Sequence, residues 1–315
     1  MRTQPSPHET TMENEHSRTA PSRPSPARPM GRPAGVGVSS WALHETLDAP
    51  PIYGVDAGDT VPDAVREKTD AATVSLLDLP AALAHHGFDS LQICHFHLPT
   101  RDHAYLSDLR GAIFAAGLPL HALLIDGGDL THPDQGARDE DWIARWLPVA
   151  ARLGAGEVRV IAGKSVGEGS LERAVAALRR LARVAADQGV RLTTENWYPV
   201  LSSPAAVIDL LEGCGGEVRF LLDFSNWSRP AKYEDLPEIA SYAAACHAQA
   251  TYLGPLEIDE QDYAFCLDLP YSSALTGGFF LVNSGPHPDP WQGLGVPRDF
   301  IKAHTARKQL ADPLT

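Results

Sequence analysis

Short apolar runs alternate along this chain with longer segments of helical periodicity. The short runs are rich in β-branched and other apolar residues, as buried parallel strands are. They cover residues 36–43, 90–97, 118–125, 157–163, 190–196, 218–224, 246–252 and 278–284. From the second run onward, the spacing leaves room for one helix in each connection. Eight strands joined by helical crossovers predict a (β/α)8 barrel.

The segments between the strands carry helix start and stop signals. Residues 170–189 show an apolar stripe at helical spacing, with Ser170 as the predicted N-cap and Gly189 just past the end. Ser203 and Pro204 predict the cap and the first turn of the next helix. Further helices are predicted at residues 78–87 and 139–154.

A doubly wound parallel sheet is the alternative architecture for alternating strands and helices. Such a sheet often carries a Gly-x-Gly-x-x-Gly sequence that follows a strand and opens a helix. Here the only weak match, Gly154-Ala155-Gly156, precedes a strand instead. The barrel is therefore favoured.

Two segments interrupt the alternation. Residues 1–35 are rich in Pro, Ser, Arg and Thr and have almost no large apolar side chains, so they cannot offset the entropy of ordering. We predict a disordered tail at 1–35 and a single barrel domain at 36–315. The long connection at 48–75 either folds over the catalytic face or is a surface insertion without a role.

Composition and charge narrow the class of partner. The chain has 315 residues, 43% hydrophobic and 21% charged, which suits a globular domain. A formal net charge of -14 argues against nucleic acid, because its binders need clustered Lys and Arg. Four cysteines without a CxxC pair, no membrane-length apolar run and no signal peptide pattern predict a cytoplasmic protein. The expected partner is a small-molecule substrate, and a homo-oligomer remains open.

Imidazoles and carboxylates stand at the ends of several predicted strands. These residues are His95, His97, Glu195, Asp223 and His247. In a barrel the carboxyl ends of the strands converge on one pocket, and an unpaired buried charge is costly. Such a group at one mouth predicts a divalent cation. Each of three residues also has a purely structural alternative to metal binding. Glu195 could form an ion pair, Asp223 could cap a loop, and His247 could be a hydrogen-bonded histidine of the core.

Three sequences on successive strands resemble the xylose isomerase-like barrel superfamily, over about residues 36–310. They are TTENW at 193–197, LLDFSNW at 221–227 and CHAQATY at 246–252. The superfamily contains sugar-phosphate isomerases and epimerases, hydroxypyruvate and inosose-type enzymes, and endonuclease IV-type nucleases. The resemblance implies a xylose isomerase-like TIM barrel with one divalent metal ion (Mn, Mg, Co, Fe or Zn). The implied metal ligands are Glu195, Asp223 and His247.

The resemblance also implies catalytic and substrate-binding roles. The candidate catalytic residues are Glu195 and His97. His97 matches a histidine that is often found at the end of strand two in the superfamily. Aromatic rings at a pocket mouth either stack on the apolar face of a sugar or pack the rim. The predicted substrate-binding residues are Trp41, His95, Trp197, Asn226, Trp227, Gln249 and Asn283.

Strands seven and eight depart from the family pattern. Val282 or Asn283 stands where the family has a fourth acidic ligand, and Gln249 stands where many relatives have Lys. The three remaining ligands leave open positions for water, substrate or Asn283. The missing carboxylate also removes one partner of the acid–base pair that family epimerases use.

The function expected from the sequence is a divalent-metal-dependent isomerase or epimerase of a small sugar, polyol or related carbonyl compound. Its reaction would be an enediolate-type proton transfer. The alternatives are a metal-dependent lyase, hydrolase or oxygenase that tailors a specialised metabolite, and a degenerate, non-catalytic barrel. An endonuclease IV-like role is disfavoured, because the chain offers neither a larger ligand cluster nor a basic surface.

Overall fold

The computed structural model describes residues 35–47, 74–197, 199–228, 230–272 and 275–311. All of the predicted tail except residue 35, and nearly all of the 48–75 connection, lie outside these residues. Within the described parts, no helix combines the length and apolar character needed to cross a membrane.

Seven of the barrel strands lie within the predicted apolar runs, with shorter bounds, and the seventh strand along the chain overlaps its predicted run only at residues 246–247. The barrel strands are β1 (Val36–Ser39), β2 (Ser90–Cys94), β3 (Leu120–Ile125), β4 (Glu157–Val160), β5 (Arg191–Glu195), β6 (Val218–Asp223), β7 (Ala243–His247) and β10 (Phe279–Leu281). An antiparallel hairpin of β8 (Tyr252–Gly254) and β9 (Glu257–Ile258) follows β7. Among the described residues, the eight barrel strands pair in parallel and close in the order β1-β10-β7-β6-β5-β4-β3-β2. The predicted (β/α)8 barrel is confirmed.

Helices fill the connections between the strands. They are α1 (Leu79–His85), α2 (His103–Ala115), α3 (Gly136–Ala144), α4 (Leu147–Leu153), α5 (Ser170–Asp187), α6 (Pro204–Gly213), α7 (Ala231–Ile239), α8 (Glu260–Asp268) and α9 (Pro290–Ala311). Their apolar faces and the outward faces of the strands form the main core. Each fully buried leucine there, such as Leu91 or Leu222, contributes about 1.5–3 kcal/mol of transfer free energy.

Three element predictions were wrong in detail. The seventh strand begins at Ala243 rather than at residue 246, because burial inside the barrel overrides the low strand propensity of consecutive alanines. The predicted helix 139–154 is two helices, and Pro148 lies in the first turn of the second one. Ser170 is the first helical residue of α5, and Gly169 with a φ of 70° is its cap. The prediction for Ser203 is confirmed, because its hydroxyl accepts a hydrogen bond from Ala206 N.

The alternation of side chains along the strands directs polar residues to the barrel interior. Leu221, Ala245 and Phe280 form an apolar cluster separate from the main core. Asp223 and His247 follow Leu221 and Ala245 by two residues, so they point to the same side of the sheet. The interior is therefore apolar in this layer and charged in the next one toward the carboxyl ends.

Candidate metal centre at the barrel mouth

Two carboxylates and one imidazole meet at the carboxyl ends of three neighbouring strands. Glu195 ends β5, Asp223 ends β6 and His247 ends β7, and each is less than 5% exposed. One potential ligand atom from each residue lies within 4.8 Å of the other two. Nδ1 of His247 is 3.2 Å from Oε2 of Glu195 and 3.5 Å from Oδ2 of Asp223. These three residues are called the carboxylate–histidine cluster below.

The turn after β6 fixes the orientation of Asp223. Its Oδ1 accepts hydrogen bonds from Ser225 N at 2.6 Å, Ser225 Oγ at 2.9 Å and Asn226 N at 2.8 Å. Burial would raise the pKa of Asp223, but His247 and these donors lower it below its ordinary value. Oδ1 is thus committed to the turn, and Oδ2 faces His247.

Asn196 ties the ends of β5 and β6 together. Its side chain donates to the carbonyl oxygen of Asp223 at 3.0 Å and accepts from the Asp223 amide at 2.8 Å. These two hydrogen bonds extend the pairing of β5 with β6 by one residue beyond Glu195. The backbone ends of the two strands that carry Glu195 and Asp223 are thereby held side by side.

Gln92 on β2 positions the ring of His247 from within the barrel. Nε2 of His247 lies 2.9 Å from Oε1 of Gln92, and Nε2 of Gln92 lies 3.3 Å from Nδ1 of His121. A carboxamide oxygen only accepts, so Nε2 of His247 carries a proton and Nδ1 faces the carboxylates. Burial would lower the pKa of His247, but Glu195 and Asp223 outweigh it and raise the pKa to about 9.

A buried arginine lies beside the cluster. Arg159 on β4 is 3% exposed, and its Nε is 3.5 Å from Oε2 of Glu195. Its NH2 is 2.5 Å from Oδ1 of Asp126, which directly follows β3. Burial would raise the pKa of Asp126, but Arg159 lowers it below its ordinary value. The described residues around the cluster therefore include three carboxylates, the permanent cation of Arg159 and the imidazole of His247.

Arg159, Asp126 and Gln92 were not among the site residues predicted from the sequence. Asp126 directly follows the predicted strand 118–125, so a search for polar residues at the end of the third strand finds it. Arg159 and Gln92 lie inside strands, and no local signal separates them from polar residues that face water.

His97 lies in a chain of hydrogen bonds at the end of β2. Its Nδ1 is 2.7 Å from Oγ of Ser40, and its Nε2 is 2.8 Å from Nδ1 of His44. Burial, together with His44, lowers the pKa of His97 to about 3, and burial lowers the pKa of His44 as well. His97 is therefore neutral at neutral pH, and the chain leads from buried Ser40 to the half-buried His44 ring.

The free energy of unfolding is expected to fall between pH 7 and pH 5, and burial of His97 accounts for about 2 kcal/mol of that fall. The pKa of His97 is about 3 in the folded protein against an ordinary 6.5, so below pH 6.5 the unfolded chain takes up the proton first. Denaturant unfolding of metal-free His97→Asn at both pH values should show a correspondingly smaller fall. His103→Asn, at an exposed position in α2, is the matched control. Equal falls in His97→Asn and the unaltered protein would contradict this.

The predicted aromatic and imidazole residues of the mouth have different surroundings. His95 packs against Trp142 and Trp146 of the main core, with ring centroids 5.4 and 5.1 Å away. Trp41 is half exposed and stacks on the ring of His44 at 5.0 Å.

The other two predicted tryptophans follow β5 and β6, two residues after Glu195 and four after Asp223. The ring of Trp197 lies 5.2 Å from the guanidinium carbon of Arg159. Trp227 is buried, and its Nε1 donates to the carbonyl oxygen of Leu201 at 3.1 Å. The substrate-binding roles of Trp41, His95, Trp197 and Trp227 stay predictions.

The three carboxamide side chains that were predicted to bind substrate follow the ends of β6, β7 and β10. Nδ2 of Asn226 donates to Oε1 of Glu195 at 3.4 Å. Gln249 and Asn283 line an adjacent cavity of about 360 Å³ together with Ser225. Gln249 is joined to Asp223 through Ser225, whose Oγ lies 2.9 Å from each.

The donor set of the cluster fits a divalent cation. Oε2 of Glu195 is a buried atom without a hydrogen-bond donor of suitable geometry, although two cationic groups lie near it. Two carboxylate oxygens and one imidazole nitrogen that converge in this way are a common ligand set for Mn, Fe, Co and Zn. The neighbouring bonds from Gln92 and Ser225 are of the kind that orient metal ligands.

Comparison with known proteins agrees with this fold. The sequence model of the xylose isomerase-like TIM barrel family matches residues 80–258, more than half of the chain. A putative hydroxypyruvate isomerase from Streptomyces coelicolor is 31% identical over 197 residues, which cover 54% of this chain and 70% of that protein.

Solved structures of the same fold include an L-ribulose 3-epimerase. It superposes with a TM-score of 0.64 at 18% identity, over 90% of this chain and 98% of that one. A xylose isomerase-like TIM barrel protein from Mycobacterium smegmatis, in complex with magnesium, gives a TM-score of 0.59 at 13% identity, over 87% and 97% of the two chains. The family match and the 31% identical relative together show that this chain belongs to the xylose isomerase-like TIM barrel family.

Proposed function

We propose that this protein is a divalent-metal-dependent isomerase or epimerase of a small sugar, polyol or related carbonyl compound. The observation that carries the proposal is the convergence of Glu195, Asp223 and His247 within 4.8 Å at the carboxyl ends of three strands. The resemblance to a putative hydroxypyruvate isomerase and the shared fold of an L-ribulose 3-epimerase support this reaction class.

Glu195, Asp223 and His247 would hold one divalent cation, of the group Mn, Mg, Co, Fe and Zn. A cation bound there would polarise the carbonyl group of a substrate and so acidify the neighbouring C–H bond. Gln92 prepares His247 for this role, because it accepts from Nε2 and leaves Nδ1 directed at the carboxylates. Arg159 offsets the charge of Asp126 and Glu195, which burial would otherwise penalise.

A base in the mouth has to take the proton from the carbon next to the carbonyl group. We assign this role to Glu195 and His97. His97 is the weaker base at neutral pH, because burial lowers its pKa to about 3 and both of its ring nitrogens are hydrogen-bonded, to Ser40 and His44.

A metal-dependent lyase, hydrolase or oxygenase is the second candidate, and one observation favours it. Among the described residues, the cluster contains two carboxylates and one histidine, and the chain after β10 continues with Val282 and Asn283 rather than an acid. Such a set leaves cation positions for water or dioxygen.

Solvent hydrogen exchange distinguishes the two candidates. Protein loaded in turn with Mn²⁺, Mg²⁺, Co²⁺, Fe²⁺ and Zn²⁺ is incubated in D₂O with a panel of ketoses, keto-acids and hydroxy-aldehydes, and deuterium is followed by NMR. An isomerase should introduce deuterium at the carbon next to the carbonyl group, and Glu195→Gln should lose this exchange. Consumption of a panel compound without exchange would support the second candidate. No exchange with any compound, under any of the five metals, would overturn the isomerase proposal.

A further inference from the structure

A chain of hydrogen-bonded side chains crosses the barrel interior from the carboxylate–histidine cluster. It runs from His247 to Gln92 and from Gln92 to His121, with 2.9 Å and 3.3 Å between the polar atoms. His121 lies near the start of β3, and β3 stands four strands away from β7 in the closed order. The chain therefore joins a predicted metal ligand to a histidine on the opposite side of the barrel.

An irregularity in the pairing of β2 with β3 gives His121 its place in this chain. Leu91 pairs with Leu120, but the next residue, Gln92, pairs with Ala122, so His121 is an extra residue in the ladder. Leu120 accordingly packs in the main core, whereas Ala122 belongs to a separate apolar cluster. In an unbroken strand these two side chains would share one face. Bulges of this kind re-aim side chains, and they are common beside functional sites.

The packing around His121 holds its imidazole ring in one place. A methyl group on Gly277 would overlap Nε2 of His121 and the Cβ of Ala245, so a larger residue there would displace the ring. The ring also packs against Phe280, with the ring centroids 4.6 Å apart. In this position Nδ1 of His121 faces Nε2 of Gln92.

The hydrogen-bonding pattern of the chain has one consistent arrangement. His121 is neutral at neutral pH, because burial and the nearby cationic side chains of Arg219 and Arg191 lower its pKa to about 4. A neutral imidazole has one N–H group and one acceptor nitrogen, and the acceptor here is Nδ1, since it faces an amide N–H donor. The oxygen of Gln92 is then directed at the N–H group of His247. A half-turn of the amide would place donor against donor and acceptor against acceptor.

We propose that His121 is a positioning residue of the metal centre, which acts through Gln92. It holds the Gln92 oxygen against Nε2 of His247 and so keeps Nδ1 of His247 as the nitrogen that a cation can use. With the amide reversed, Nε2 of His247 would have to accept a hydrogen bond, and the ring proton would stay on Nδ1. The presence of a cation rests on the function proposed above. The orientation of Gln92 and His247 rests on the hydrogen-bonded chain alone.

Leucine and asparagine at position 121 separate the acceptor from the shape of the side chain. The two side chains are nearly isosteric, but only asparagine can offer an oxygen to Nε2 of Gln92. Chelator-treated protein is titrated with Zn²⁺ and Co²⁺. His121→Leu should lower the cation affinity about tenfold, the lower end of the usual effect of an outer-shell partner, and His121→Asn should recover most of this loss. His103→Leu, at an exposed position in α2, should leave the affinity unchanged.

Two further measurements distinguish positioning from a general structural effect. In a Gln92→Met background, His121→Leu should cause no further loss of affinity, because the group through which His121 acts is gone. NMR of protein labelled with ¹⁵N-histidine reports on the chain without any metal. The Nε2–H group of His247 should exchange slowly with solvent in the unaltered protein and in His121→Asn, and faster in His121→Leu.

Four results would each overturn the proposal. They are unchanged cation affinity in His121→Leu, an equal loss in the leucine and asparagine variants, the same loss with and without Gln92, and unchanged exchange of the His247 Nε2–H group. If His121→Leu folds poorly, His121→Phe replaces it, since phenylalanine keeps a ring against Phe280 without the nitrogen. An unaltered protein that binds no cation would contradict the function proposed above, and the exchange measurement would still decide whether His121 orients Gln92 and His247.

Discussion

Asp223→Asn is expected to lower the affinity for a divalent cation by more than about 100-fold, since loss of an outer-shell partner alone typically costs 10- to 100-fold. The substitution is nearly isosteric. Its Oδ1 can still accept from Ser225 N, Ser225 Oγ and Asn226 N, so the turn after β6 is retained. The atom exchanged is Oδ2, which faces Nδ1 of His247 at 3.5 Å. An NH₂ group in that place cannot ligate a cation.

The measurement is the metal content of the dialysed protein, together with titration of the chelator-treated protein with Mn²⁺, Co²⁺ and Zn²⁺. The unaltered protein should bind one equivalent. Asp209→Asn, an exposed aspartate of α6, should behave like the unaltered protein. Equal stoichiometry and affinity in Asp223→Asn would show that the cluster is a structural network of ion pairs. Absence of metal from both proteins, even after loading, would favour a non-catalytic barrel.

Two features of a barrel make the residues at the strand ends predictable from the sequence. Apolar runs locate the strands, and parallel strands bring their carboxyl ends to one face. These two features predict Glu195, Asp223 and His247 at one mouth, and the structure brings the three side chains together. The ligand role itself stays a prediction. So does the role of His97, which the structure places between Ser40 and His44.

Interior polar residues within strands could not be predicted in the same way. The sequence EVRV at 157–160 alternates polar and apolar residues, a pattern typical of a strand with one face in water. In this barrel the polar face of the strand points to the interior. Glu157 and Arg159 are therefore buried, with exposed fractions of 2% and 3%. Gln92 in SLQIC is a single polar residue in an apolar run. Its partner His247 lies 155 residues further along the chain, and only the closed barrel brings the two together.

Removal of the Arg159 charge should cost more stability than removal of any exposed arginine. Arg159→Met is expected to lower the free energy of unfolding of the metal-free protein by about 3–5 kcal/mol, the usual cost of leaving a buried partner uncompensated. The uncompensated groups are Asp126 and Glu195, which lie 2.5 and 3.5 Å from the guanidinium nitrogens. Denaturant unfolding in the presence of a chelator measures the loss.

Arg180→Met is the matched control for this substitution. Arg180 forms a short bidentate pair with Glu140 at 2.7 and 2.6 Å, but its side chain is 56% exposed. A solvated pair of this kind contributes about 1 kcal/mol or less. Similar losses in the two variants would mean that Arg159 does not balance the buried carboxylates.

The double variant Arg159→Met with Asp126→Asn separates charge from packing. If the loss in Arg159→Met comes from uncompensated charge, neutralising Asp126 should recover part of it, because one of the two orphaned carboxylates is then gone. If the loss comes from the missing guanidinium volume beside Trp197, the second substitution should only add to it.

A saturating concentration of the cation gives a further check. A cation held by Glu195 offsets the same negative charge, and it should stabilise the protein because it binds only the folded state. A larger stabilisation of Arg159→Met than of the unaltered protein by the cation would identify Arg159 as the internal counter-charge of the centre, and an equal stabilisation would show that the two are not coupled.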